Sequence, residues 1–423
     1  MTINPYAERL KPLALIIFLI GNLFYCYEFL LQVAPNVMTH VLMRDFHANA
    51  AQLGRLSSAF FLSYALFQIP ASLLIHRFGA RKTLTIVAVL CAIGSLLFGL
   101  APNIETAFFA RFLIGLAGAF AFTAVLYLII RWMPGFYFAL FAGITQLIGA
   151  LGAIGGEAPL TELINHFGWH HTMMIFAGIG LLIAGITALA LRDRPSHFVE
   201  NQTKTNSNTW IVLKTIFKNP QMWAIFIYGF MIWSPVITFA ALWGDPFLQL
   251  ESHLSDLQAA NMIALLWVGI AIASPLVGWI SDTIKRRVLP LALLALIGLF
   301  AFIPLLCFNN LSQEIIALLM LLIGFSAAGQ TLIFAVVKDI NTTQTSTVAI
   351  GANNMAIVVS GVLLQPLVGT VLDWTWMGKI VNGAPFYTVY NYRIALLTLP
   401  VCLLIAFITA TFFLKETHCQ SLE

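Results

Sequence analysis

Twelve stretches of this chain are each long and apolar enough to cross a lipid bilayer, and no other feature constrains its fold as much. A crossing takes about 20 mostly apolar residues, since a helix can satisfy its own backbone groups where no water is present. The stretches fall near 14–38, 50–75, 83–101, 105–130, 136–160, 170–191, 221–248, 257–281, 288–308, 312–337, 346–372 and 390–414. Composition removes the soluble alternative: only 9% of the 423 residues are charged, against about a quarter in soluble domains. The expected fold is an all-α polytopic membrane protein, with the lipid bilayer as its principal partner.

The connectors are short, apart from one polar stretch at 192–219. This divides the chain into an N-terminal six-helix half (1–192), a cytoplasmic linker (193–219) and a C-terminal six-helix half (220–423). Sixteen of the 21 Lys and Arg fall on one side of the bundle when spans are counted alternately. Basic loops stay cytoplasmic, so both termini are expected inside, in a multi-pass arrangement. The five cysteines form no CxxC pair, and no phosphate-binding loop occurs. Metal, disulfide framework, cofactor and ATP are therefore not expected. No basic stripe with interleaved aromatics suggests nucleic acid, and no catalytic motif suggests an enzyme.

The halves echo each other. After the second span the chain reads Ser72-Leu-Leu-Ile-His76-Arg77-Phe78-Gly79-Ala80-Arg81-Lys82, and after the eighth Gly278-Trp-Ile-Ser-Asp282-Thr-Ile-Lys285-Arg286-Arg287. Both resemble the G-x-x-x-D-R-x-G-R-R loop of the major facilitator superfamily; the second copy keeps Gly278 and Asp282, while the first has Ser72 and His76 there. Arg111, Gly115 and Ala119 resemble that family's R-x-x-x-G-x-x-x-A pattern. Gly149, Gly152, Gly155 and Gly156 resemble an antiporter motif without its Gly-Pro pair. The resemblance implies two pseudo-symmetric halves and inner gating loops built from His76, Arg77, Gly79, Arg81, Gly278, Asp282 and Arg286. Four further stretches, around Tyr27–Pro35, Ala241–Leu248, Leu364–Gly369 and Tyr392–Leu396, resemble the Legionella-type intraphagosomal transporter branch, which implies amino acids or nucleosides as cargo. Siderophore transporters of the same bacteria look similar.

Polar side chains deep inside apolar spans mark candidate binding groups. In span one Asn22, Tyr25, Glu28, Gln32 and Asn36 follow steps of three and four, a single polar face. Glu28 lies near the middle of its run. A charged carboxylate there costs about 3 kcal/mol unless it finds a cavity, a partner or a proton, which makes it the candidate coupling carboxyl. Arg111 is the other embedded charge, about 6 Å nearer the outside on these spans. It could hold an anionic group of the substrate, meet Glu28 in one state, serve packing or snorkel to the interface. Gln146, Trp233, Thr238, Gln330 and Asn354 complete the candidate set. Glu157 and Asp245 are expected at a solvated outer mouth, and Trp132, Trp374, Trp376 and Tyr387 as interface anchors. The function expected is secondary active transport of a small polar solute, an amino acid or similar, with protons as the coupling partner and a monomer as the working unit. Siderophore or organic-anion transport is the alternative, and a non-transporting receptor a remote one.

Overall fold

The computed structural model describes residues 12–134, 137–194 and 209–420. Among the described residues the regular structure is helical apart from one short hairpin. The N-terminal half runs α1 (Pro12–Val33), α2 (Pro35–Asp45), α3 (Ala50–Phe78), α4 (Ala80–Gly99), α5 (Ile104–Gly118), α6 (Ala121–Trp132), α7 (Phe138–Gly155) and α8 (Ala158–Ala190). After α9 (Thr209–Lys218), the C-terminal half runs α10 (Pro220–Ser234), a wide π-helical stretch Pro235–Trp243, α11 (Gly244–Glu251), α12 (Asp256–Ile284), α13 (Val288–Cys307), α14 (Gln313–Ala327), α15 (Gly329–Asp339) and α16 (Thr343–Thr375). The hairpin β1 (Ile380–Val381) and β2 (Ala384–Pro385) follows, then α17 (Val389–Leu396) and α18 (Thr398–Ile408).

Among the described residues eleven helical segments are long and apolar enough to cross a membrane. One of them, Leu140–Ala190, has 51 residues, roughly twice what a bilayer needs at 1.5 Å per residue. It is α7 and α8, which turn back at Gly156-Glu157. That resolves it into two crossings and the total into twelve. The extra length of α8 lies before Gly168, whose φ of 74° kinks the helix. The end carrying the basic loops 77–82 and 285–287 is called the inner end below. The expected linker is helical over 209–218 and bonded at Asp193; its central part, 195–208, and the terminal residues 1–11 and 421–423 lie outside the described residues.

Breaks recur at matching places in the two halves. Span one is interrupted at Ala34-Pro35, and span seven by the π-helical stretch that begins at Pro235. Span four breaks between α5 and α6, and span ten between α14 and α15. Proline explains the first pair, because it withholds a backbone donor and crowds the preceding turn.

The halves are sealed together at the outer end. The Thr39 hydroxyl donates to the Leu242 carbonyl at 3.2 Å, and the Asp245 backbone N–H donates to Asn36 Oδ1 at 3.1 Å. Ala50 and Ala51 donate their backbone N–H groups to Asp373. At the inner end the bonds of Arg81 and Arg287 stay within their own half. Arg81 donates to the Ala188 carbonyl and to Asp193, and Arg287 pairs with Asp282 and Asp339. The outer end is therefore closed.

Candidate functional site

Between the halves lies a cavity whose empty space, open solvent at its mouth included, is ≈ 790 Å³. The N-terminal half lines it with Tyr25, Gln32, Tyr64 and Gln146, and the C-terminal half with Trp233, Ser274, Gln330 and Asn354. Phe29, Phe60, Phe61, Phe122 and Trp267 supply its apolar walls. Among the described residues no charged side chain lines it. The Tyr25 hydroxyl donates to Gln146 Oε1 at 2.5 Å, which joins spans one and five across the floor. Gly149 makes that approach possible: a Cβ there would stand 2.8 Å from the Tyr25 ring.

Six of the nine residues expected to bind substrate or proton are thus brought to one cavity. Glu28, Arg111 and Thr238 are not among its lining. Helical geometry accounts for Glu28, which stands about 60° to one side of Tyr25 at 3.6 residues per turn. It faces span four, where a Cβ on Gly118 would lie 2.8 Å from Glu28 Oε1. Glu28 is fully buried, and among the described residues neither carboxyl oxygen has a hydrogen-bond partner. The gap between α5 and α6 begins at this contact.

Arg111 turns to the backbone of span one rather than to Glu28. Its Nη1 donates to the Leu31 carbonyl at 2.6 Å and its Nη2 to the Gln32 carbonyl at 3.2 Å. Leu31 would ordinarily accept from residue 35, but Pro35 has no N–H to give. The guanidinium fills the vacancy, rests over the Phe60 ring at 5.0 Å and is 2% exposed. Thr238 lies in the π-helical stretch, fully buried with its hydroxyl unpartnered.

Two expectations are corrected. Glu157 and Asp245 are not solvated: they are 0% and 3% exposed, deep in the outer seal. Asn36 donates to Glu157 Oε2 at 3.0 Å while accepting from the Asp245 backbone, so a single amide ties the two halves. Tyr387 is not an interface anchor either; it is buried and bonded to Asp373 and Ala50.

In the inner loops, Asp282 pairs with Arg287 at 2.8 Å, and Arg286 donates its N–H to the Ser281 carbonyl. Gly278 faces open space. His76 meets the Tyr127 ring at 5.6 Å, and Arg77 lies over Phe78. Gly79 takes φ 85°, a conformation that favours glycine, and stands directly beside the Asp193 carboxylate. Asp193 accepts from the Arg81 N–H at 2.8 Å, at the start of α4. Glu416 does the same for α13, accepting from the N–H groups of Arg287 at 2.7 Å and Val288 at 3.0 Å. Each carboxylate follows the sixth span of its half and caps the third. Burial raises the pKa of Glu416, but the backbone donors of Arg287, Val288, His418 and Thr417 outweigh it and hold the group below its ordinary value. Neither cap was among the expected site residues. The signal available was an acid near the end of each sixth span, opposite a helix start.

A membrane bundle of two six-helix halves around a central cavity is the architecture of a carrier. The profile of the Major Facilitator Superfamily matches residues 13–364 and 246–421. The chain belongs to that superfamily. It is similar to the "Probable sulfoacetate transporter SauU" of Cupriavidus necator, 23% identical over 63% of this chain and 64% of the relative, just under two thirds of its length. The hexuronate transporter of Bacillus subtilis is 22% identical over 67% of each chain. In fold it resembles the inward-facing crystal structure of a bacterial homolog to the human lysosomal transporter Spinster. The TM-score is 0.79 at 17% identity, over 95% of this chain and 96% of the other.

Proposed function

We propose that the protein is a secondary active transporter that moves a small polar solute across the bacterial inner membrane by alternating access, with both termini cytoplasmic and the monomer as its unit. The observation that carries this reading is the cavity between the halves, with amides and phenols from both: Tyr25, Gln32 and Gln146 opposite Gln330 and Asn354. A polar pocket near the midplane, sealed on one side, is what rocking halves need. Donors and acceptors without a fixed charge suit a neutral or zwitterionic solute, an amino acid or similar, with Trp233 and Phe29 against its apolar part. Glu28 is the proton carrier: buried, unpartnered and beside the break in span four, it can take a proton when one route opens and lose it when the other does.

Organic-anion transport is the second reading, favoured by the names of the relatives, which include sulfoacetate and hexuronate transporters. It would need a cation to reach the cavity. A thermal-shift panel on purified protein tests both, because a ligand at 100 times its Kd stabilises the native state by about 2.7 kcal/mol. Amino acids should raise Tm, and uptake into proteoliposomes should follow an inward pH gradient. If sulfonates and uronates shift Tm and amino acids do not, the second reading replaces the first. Gradient-independent equilibration of every solute bound would end the coupled-transport reading.

A further inference from the structure

In the outer seal a carboxylate of one half takes the N-terminal donors of a long helix of the other. Helix α3 starts with a capping box, Asn49 and Gln52 bonding each other's backbone. That leaves the N–H groups of Ala50 and Ala51 as open donors at the positive end of a 29-residue helix. Their acceptors come from the opposite half. Asp373, near the end of α16, takes Ala50 N–H on Oδ1 at 3.1 Å and Ala51 N–H on Oδ2 at 2.9 Å. Tyr387 completes the set, donating its hydroxyl to Asp373 Oδ1 and accepting from Ala50 N–H at 3.0 Å. The backbones beneath are in direct contact, since a Cβ on Gly54 would stand 2.5 Å from the Gln365 carbonyl, and one on Gly369 would run into the Ala50 carbonyl.

We propose that Asp373, with Tyr387, is a latch that holds the outer end shut by gripping the N-terminus of α3 across the two halves. The caps supplied by Asp193 and Glu416 stay within one half and persist while the halves rock. The Asp373 contact spans the moving boundary and has to part whenever the outer end opens. Its loss frees a carboxylate and two backbone donors together, so it biases the resting protein toward the outward-closed state.

The proposal rests on the alternating-access reading, but its test reads conformation rather than transport, so the two can fail separately. Spin labels on cysteines at Glu105 and Asn309 report the outer end, and a pair at Lys82 and Thr283 the inner end; all four positions are exposed. The five native cysteines are replaced first. In Asp373→Asn, pulsed spin-resonance distances should shift longer for the outer pair and shorter for the inner pair. Tyr387→Phe, which leaves both backbone bonds to Asp373, should give a smaller shift of the same sign and covers the case in which the Asp373 variant does not fold. Unchanged distances in both variants would overturn the latch. So would lengthening at both ends, which marks a loosened bundle rather than a shifted equilibrium.

Discussion

Arg111 supplies the hydrogen bond that Pro35 withholds: its Nη1 reaches the Leu31 carbonyl at 2.6 Å, across the break in span one. The embedded cation thus serves the bend that carries Gln32 into the cavity. Arg111→Ala leaves two buried carbonyls unsatisfied and should lower stability by about 2 kcal/mol or more. Arg111→Lys, which can reach one of them, should lose less. Binding of neutral and anionic solutes should weaken alike, measured by thermal shift. A loss confined to anions would place Arg111 on the substrate instead.

Glu28→Gln keeps size and polarity and removes the titratable group. Solute exchange across proteoliposomes should persist at near the parent rate, while accumulation driven by a pH gradient should vanish. Full gradient-driven uptake by this variant would show that Glu28 is only a packing contact.

Gln146 accepts from Tyr25 and lines the cavity. Gln146→Leu removes that acceptor at similar volume. Affinity for the transported solute should fall about tenfold, equivalent to about 1.4 kcal/mol, with little change in Tm. Calorimetric titration checks it, and an unchanged Kd would take Gln146 out of the binding surface.

Glu416 caps α13 in its ionised form, held below its ordinary pKa by backbone donors that outweigh its burial. A carboxyl lowered in this way adds stability above its unfolded pKa, and the contribution is lost as pH falls through the folded value. Thermal scans should therefore show Glu416→Gln about 1 kcal/mol less stable than the parent at pH 7, with the gap closing under acid. An equal gap at all pH values would mean the charge plays no part.

Much of this was legible in the sequence for physical reasons. Span length follows from the bilayer itself and marked the helices, while the polar stretch after the sixth span and the repeated loop marked the two halves. The polar face of span one was visible as well, but spacing alone does not separate the centre of a face from its shoulder. Tyr25 and Gln32 sit at the centre, whereas Glu28, one turn away, faces span four. Depth was misread at Glu157 and Asp245, because run length places a residue along a span but says nothing of what covers it from the other half. Trp267 and Phe29 gave no signal at all, since an aromatic wall of a cavity looks like any lipid-facing stretch.

The matching caps of Asp193 and Glu416 have a consequence for how such a chain can be divided. Each half closes its own third helix with an acid from its own far end and borrows none from the other half for that purpose. Each six-helix unit thus caps its third helix without the other, and the linker between Asp193 and Thr209 is the natural place to divide the chain. Two separately translated polypeptides, severed there, would be expected to find each other in the membrane and restore the whole, as modules do.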